Sequence, residues 1–279
     1  METTGSRNAP KPAYATLLLL GESFRPERGA FWLGELLDAA ELVGVKARSM
    51  RTVVRRMTSE GWFAIERIGR RSRYRLSDAG RDELRRGDVR VFELDQPAWD
   101  GRWQLVLTGE GRGGATEPDG LAKPLRWLGF GRLGPGQWLS PHDRGAELGA
   151  LARELDPGHR LAVFTDASFA GRERGLVDAC WDLRGIAARY EAFLAAHRDA
   201  AAPPWDPPVE PVEAFRRLFW LDHDMLRILR DDPNLPAALL PEDWPGHEAR
   251  RLFRVGRERY EPGSRELVER IRASHADLA

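Results

Sequence analysis

One cysteine, Cys180, is all that 279 residues contain. A chain with a single thiol closes no internal disulfide and builds no cysteine-based zinc site, which fits a reducing compartment. Long apolar runs are missing too. Leu17–Leu20 is far shorter than the roughly 20 residues that a membrane-crossing helix needs, and the first twelve residues hold no apolar signal core. A cytoplasmic protein with no membrane partner is therefore expected. Net charge is also absent, because 43 basic residues meet 43 acidic ones. That balance argues against a general nucleic-acid coat and for basic charge confined to one module.

Signals of catalysis are equally sparse. Gly109–Gly114 is glycine-rich, but its spacing is not that of a dinucleotide fingerprint, and no Lys-Ser or Lys-Thr follows to make a phosphate loop. His223-Asp224 and His142-Asp143 have no further ligands at metal spacing and read as hydrogen-bonded residues. Asp166 and Ser168 have no motif that would bring a histidine to them, so no hydrolytic triad is supported. Trp181, Trp205, Trp220 and Trp244 read as core packing before they read as an aromatic pocket. No catalytic residue, metal or cofactor is expected, and the chain is not expected to be an enzyme.

What is present centres on Gly44–Leu76. Val45, Ala47, Met50, Val53, Val54 and Met57 recur at spacings of three and four and predict one buried face of a short helix. Arg48, Ser49, Arg51, Thr52, Arg55 and Arg56 then fall on the opposite side. Gly61 stops the helix, Trp62–Ile68 reads as a strand, Gly69-Arg70-Arg71 as a turn and Ser72–Leu76 as the returning strand. A helix with basic and small polar residues outward, followed by a hairpin tipped with arginines, is the pattern of a winged helix-turn-helix. Its helix would enter the DNA major groove and its wing would reach a phosphate backbone or the minor groove. Residues 44–90 hold fourteen basic side chains against six acidic ones, a local excess that attracts phosphates.

Arg48, Arg51, Thr52 and Arg55 are the candidates for base edges, since a bidentate arginine on guanine is the commonest specific contact. Arg56, Arg70, Arg71 and Arg73 are the candidates for phosphates. Ser49 lies on the same face, and Lys46 stands at the helix start as a further DNA contact.

The chain is long enough for two or three domains. Residues 1–12 are expected to be disordered, and 13–90 to form the DNA-binding domain. Tyr14–Leu20 predicts a first helix and Phe31–Leu42 a second, while Ser77 is placed to cap a helix that follows the wing. Residues 91–182 run strand, helix, strand, strand, helix, strand, which predicts a ferredoxin-like α+β domain. Gly134-Pro135-Gly136 marks the turn between its middle strands. Residues 183–279 predict a C-terminal helical domain: Leu183–His197, Val212–Arg230, then His247–Arg259 and Ser264–Ser274. A proline-rich connection at 202–211 and rigid turns at Asp232–Gly246 interrupt it. The fold class is thus a multidomain α+β chain.

Three motifs in order carry a resemblance. Phe24–Leu36 with Val54–Gly80, then Trp99–Leu107 with Leu125–Gly131 and Trp138–Pro141, then Asp232–Gly246 preceded by His223, resemble the PaaX family, repressors of phenylacetic acid catabolism. The middle domain is similar to small CRISPR-associated ferredoxin-fold nucleases. The resemblance implies a homodimeric repressor on palindromic double-stranded operator DNA, released by an aryl-CoA thioester such as phenylacetyl-CoA. The family often has a Ser-type cap where Lys46 stands, so the helix start here is expected to be loosely capped. Two other readings stay open: a DNA-binding regulator controlled by a protein partner or another effector, and a metal-dependent nuclease. Against the nuclease, Leu107 is followed by Thr108, Gly109 and Glu110, which misplaces the carboxylate that such enzymes carry at the end of the first strand.

Overall fold

The computed structural model describes residues 9–22, 29–69, 71–82, 84, 98–110, 120–154, 159–171, 173–201 and 208–276. The chain divides into two units, the first made of Met1–Glu93, Ala196–Leu226 and Arg250–Ala279, the second of Leu94–Ala195 and Arg227–Ala249.

In the first unit, α1 (Pro12–Glu22), α2 (Leu33–Leu42) and α3 (Ala47–Ser59) pack beside a small antiparallel sheet. Its strands are β1 (Phe31–Trp32), β2 (Phe63–Ile68) and β3 (Arg71–Leu76), in the order β1-β3-β2. The sequence expectation had absorbed Phe31 and Trp32 into the second helix. They pair instead with Tyr74 and Arg73, which lets Phe31 stack on Tyr74 and meet Phe63 edge-on. Aromatic residues suit this pleated, half-covered position better than a helix N-terminus.

The ends of α2 and α3 are set by glycine. Gly44 and Gly61 adopt φ of 83° and 81°, and the amides after them close back on the helices they end: Val45 N–H on Ala40 O, Trp62 N–H on Met57 O. Each is a helix stop that a side chain at that position would strain. Ser77 caps the turn after β3 as expected, its Oγ accepting the Gly80 N–H at 3.0 Å. That turn is helical at 78–82, and 85–90, including Arg85, Arg86 and Arg90, lie outside the described residues.

The core of this unit joins Leu18, Leu19, Leu36, Met50, Val54 and Met57 to Phe215 and Phe219 of α8 (Pro211–Leu229) and Leu267 and Val268 of α9 (Gly246–Ala276). The helical stretch 183–279 is therefore shared between the two units rather than standing as a third: its own apolar stripes complete the N-terminal core.

Helix α9 also departs from the expected pair of closing helices. It runs unbroken for 31 residues with Pro262 inside. Proline removes one N–H and crowds the preceding turn, at a cost of about 3 kcal/mol in an isolated helix. Here Leu252, Phe253, Tyr260, Ser264, Leu267 and Val268 form one buried stripe that keeps its period across Pro262, and packing on both sides holds the helix together.

The second unit contains β4 (Trp103–Glu110), α4 (Ala122–Trp127), β5 (Gly131–Gly134), β6 (Gln137–Ser140), α5 (Gly145–Glu154) and β7 (His159–Ala167). All neighbouring strands are antiparallel, in the order β5-β6-β4-β7. This is the strand order of a ferredoxin-like unit. Val106, Leu121, Leu125, Phe130, Trp138 and Leu148 form its core. Two helices follow, α6 (Glu173–Cys180), which the sequence reading did not single out, and α7 (Leu183–Ala196). The rigid turns at 232–246 are anchored as expected by buried Leu235, Leu239, Leu240 and Trp244. Tyr190 donates its hydroxyl proton to Asp232, whose other oxygen accepts the Asn234 N–H at 2.8 Å. Among the described residues no helix is long and apolar enough to cross a membrane.

The buried seam of α3 carries a stability prediction. Met50 is fully buried, and Met50→Ala is expected to lower unfolding stability by about 2–5 kcal/mol, read from urea melts.

Candidate nucleic-acid interface

Helix α3 separates its two faces cleanly. Met50, Val54 and Met57 are buried, Ser49 and Val53 half-buried, and Arg48, Arg51, Thr52, Arg55 and Arg56 exposed. The cause is the three-and-four spacing of the apolar residues, which leaves the intervening positions no access to the core. The side chains of Arg48, Arg51 and Arg55 make no hydrogen bond or ion pair among the described residues. Three guanidinium forks on one exposed face, with donors uncommitted, are suited to acceptors on base edges and phosphates. Thr52 spends its hydroxyl proton on Arg48 O at 3.1 Å and keeps its lone pairs. Arg56 lies 3.5 Å from Glu60, with both side chains more than half exposed, a pairing worth little in water and easily exchanged for a phosphate.

Lys46 is exposed at the start of α3 in extended geometry (φ −65°, ψ 135°) and gives no side-chain cap. The orphan amides of the first turn are thus unsatisfied by a side chain, as the Lys at this position leads one to expect.

The β2–β3 hairpin pairs Ile68 with Arg71, and Gly69 after Ile68 takes φ of 61°. Arg70 lies outside the described residues. Arg67, Arg73 and Arg75 are exposed. Ile65 and Ile68 are 43% and 40% exposed, an apolar edge to the hairpin that the arginine pattern had hidden. Arg71 behaves differently from its neighbours. Its guanidinium lies 4.2 Å over the Trp32 ring and donates to His275 O at 3.1 Å. Of the ten residues singled out from sequence, α3 brings Arg48, Ser49, Arg51, Thr52, Arg55 and Arg56 onto one helix with Lys46 at its start, and the hairpin carries Arg71 and Arg73.

The remaining polar features are held within the fold. Asp224 accepts from His223 Nδ1 and from His197 Nε2, each at 2.9 Å. His197 lies in the turn just after α7, 27 residues before Asp224, so its place beside Asp224 has no local sequence signal. His142 is buried and its Nε2 lies 3.1 Å from Pro233 O. Burial pushes the Cys180 thiol up to about 11, which keeps it protonated and unreactive. Among the described residues no group of three or more His, Cys, Asp or Glu could hold a metal ion. Trp181 stacks on Trp103 with centroids 6.4 Å apart, Trp244 meets Tyr190 edge-on, and Trp220 meets His223 edge-on. Trp205 lies outside the described residues, as do 111–119 of the glycine-rich loop. Within the second unit, Trp181 and Trp244 also line a cleft of about 630 Å³, in which Asp178, Asp182, Glu191 and Asp243 outnumber Arg174 and Arg184.

The missing cap offers a test that separates stability from binding. Lys46→Ser is expected to stabilise the fold by about 1 kcal/mol, because Ser can accept an orphan amide hydrogen. It is expected at the same time to weaken DNA binding by removing a cation. Melts and DNA titrations on the same preparation check both signs.

Three family models match successive stretches of the chain. The model of the PaaX-like protein family matches residues 15–80, that of the PaaX protein central Cas2-like domain 96–176, and that of the PaaX-like protein C-terminal domain 181–270. Over 240 residues the chain is 37% identical to the transcriptional repressor PaaX of Escherichia coli (strain K12), covering 84% of this chain and 75% of that protein. Among solved structures, the uncharacterized protein Rv0674 from Mycobacterium tuberculosis is similar with a TM-score of 0.53 and 25% identity, covering 84% of this chain and 90% of that one.

Proposed function

The chain belongs to the PaaX family, and on that premise we propose that it is a sequence-specific DNA-binding transcriptional repressor of an aromatic-acid, phenylacetate-type catabolic operon. A relative over most of its length is a transcriptional repressor, a regulator and not an enzyme. The observation that carries the reading is the exposed basic face of α3, where the side chains of Arg48, Arg51 and Arg55 have no partner among the described residues, on a helix fixed from behind by Met50, Val54 and Met57.

In this reading residues 13–90 are a winged helix-turn-helix. Helix α2, the Gly44 turn and α3 form the helix-turn-helix, and the β2–β3 hairpin is the wing. Arg48, Arg51, Thr52 and Arg55 read base edges in the major groove, while Lys46, Arg56, Arg70 and Arg73 hold phosphates. The protein acts as a homodimer on a palindromic operator, since a two-fold protein matches two-fold DNA. An aryl-CoA thioester such as phenylacetyl-CoA releases it. Such a ligand lowers DNA affinity by the ratio of its affinities for the DNA-free and DNA-bound conformations.

The test is a mobility shift on the protein's own upstream promoter DNA. A specific complex dissociated by phenylacetyl-CoA and not by free phenylacetate is the expected result. A complex indifferent to the thioester would leave the effector assignment wrong, and no complex at moderate salt would contradict the DNA reading. Substitutions divide the labour on α3 and the wing. Arg51→Ala is expected to cost about 1–3 kcal/mol on the operator and little on random duplex. Arg73→Ala is expected to weaken both about equally and to flatten the salt dependence. Fluorescence anisotropy across a salt series measures both.

A further inference from the structure

The last turn of α9 reaches residues that are about 200 positions away in sequence. Arg272 donates to Ala30 O at 2.9 Å and lies 3.6 Å from the buried carboxylate of Glu35. His275 Nε2 lies 2.7 Å from Asp38 Oδ2, while Nδ1 of the same ring is 3.3 Å from a terminal nitrogen of Arg71. A second Arg71 nitrogen donates to His275 O at 3.1 Å, and the guanidinium plane covers Trp32. Chemistry fixes the ring's role. Arg71 can only donate, so Nδ1 must accept, and the ring proton then sits on Nε2 and is donated to Asp38. Room for the ring comes from Gly34, where a Cβ would stand 2.4 Å from His275 Cε1.

The place where this contact falls gives it a consequence. Arg71 is the first residue of β3 and pairs with Ile68 at the hairpin tip. Along β2 only Phe63, at the root, is buried, and Ala64–Ile68 are all exposed. A hairpin with so little apolar anchorage is ordered only weakly by its own ladder. Arg71 ties its tip to Trp32 and to the end of α9.

We propose that His275 is a positioning residue for DNA binding: through Arg71 it holds the tip of the β2–β3 hairpin in place before DNA arrives. The inference rests on the DNA-binding reading above and adds to it a requirement from the far end of the chain. Arg71, which by sequence belongs with the phosphate contacts, serves as the pin of the wing, and ordering in advance lowers the entropy cost of docking the wing on DNA.

Two near-isosteric substitutions separate the two bonds of the ring. His275→Asn keeps an acceptor where Nδ1 faces Arg71 and loses the donor to Asp38. His275→Gln keeps a donor where Nε2 faces Asp38 and loses the acceptor. Amide hydrogen exchange of the hairpin in the DNA-free full-length protein is measured for the wild type, both variants and His275→Ala, followed by DNA titrations.

Asn is expected to match the wild type. Gln and Ala are expected to exchange roughly tenfold faster in the hairpin and to bind DNA roughly threefold to tenfold more weakly, equally on operator and random duplex. Gly34→Ala, which displaces the ring while favouring the α2 helix, is expected to behave like Gln. Any other ordering overturns the proposal, in particular Gln matching the wild type while Asn fails, which would make the Asp38 bond a simple docking contact. Absence of DNA binding by the wild type would sink the DNA reading instead, and the exchange data would still decide the pin.

Discussion

The burial of one helical seam governs what this protein can present to a partner. Met50, Val54 and Met57 sit at spacings of four and three, and once they enter the core of the first unit the rotation of α3 is fixed. Each such side chain contributes roughly 1.5–3 kcal/mol by leaving water, far more than any single surface arginine loses or gains by its orientation. Arg48, Arg51 and Arg55 are therefore held outward by the packing on the other side of their own helix, not by contacts of their own. Glycine stops at Gly44 and Gly61 bound the helix and set where it begins and ends. The exposed basic face is the by-product of a core requirement, which orients it without any interaction of its own.

The same core explains why the end of the chain matters to its beginning. Phe215, Phe219, Leu267 and Val268 belong to the cluster that backs α3. The register that α9 needs to bury those residues carries its final turn to α2 and the hairpin, where Arg272, His275 and Arg71 meet Ala30, Asp38 and Trp32. Desolvation raises the pKa of Glu35 in this cluster, opposed by the Trp32 backbone hydrogen bond and the positive charge of Arg272. A buried carboxylate kept next to a guanidinium marks the docking of α9 as specific and not merely apolar.

Much of this was legible in the residues themselves wherever the information was local. The α3 faces, the two glycine stops, the Ser77 cap and the strand order of the ferredoxin-like unit follow from period, turn chemistry and spacing. The failures share a cause. Phe31-Trp32 looks helical in sequence because its strand partner lies more than 40 residues away. Two closing helices, His247–Arg259 and Ser264–Ser274, are expected where α9 is continuous, because the stripe that holds it together across Pro262 is completed by other helices. Arg71 looked like its neighbours in an arginine-rich run, and only the arrival of His275 from the far end of the chain sets it apart. His197 beside Asp224 is of the same kind. Periodicity reports which side of an element is buried, but it does not report what comes to meet it.

The central claim is that the exposed face of α3 reads base edges in the major groove. Methylation interference on the bound promoter fragment tests it most directly, because guanine N7 lies in that groove and its methylation blocks a bidentate arginine. The account predicts that methylation at N7 of a few guanines, at two symmetric positions one helical turn apart, abolishes binding, and that replacing Arg51 or Arg55 with Ala removes the interference at particular ones among them. Binding that tolerates N7 methylation throughout and responds only to minor-groove modification would contradict it.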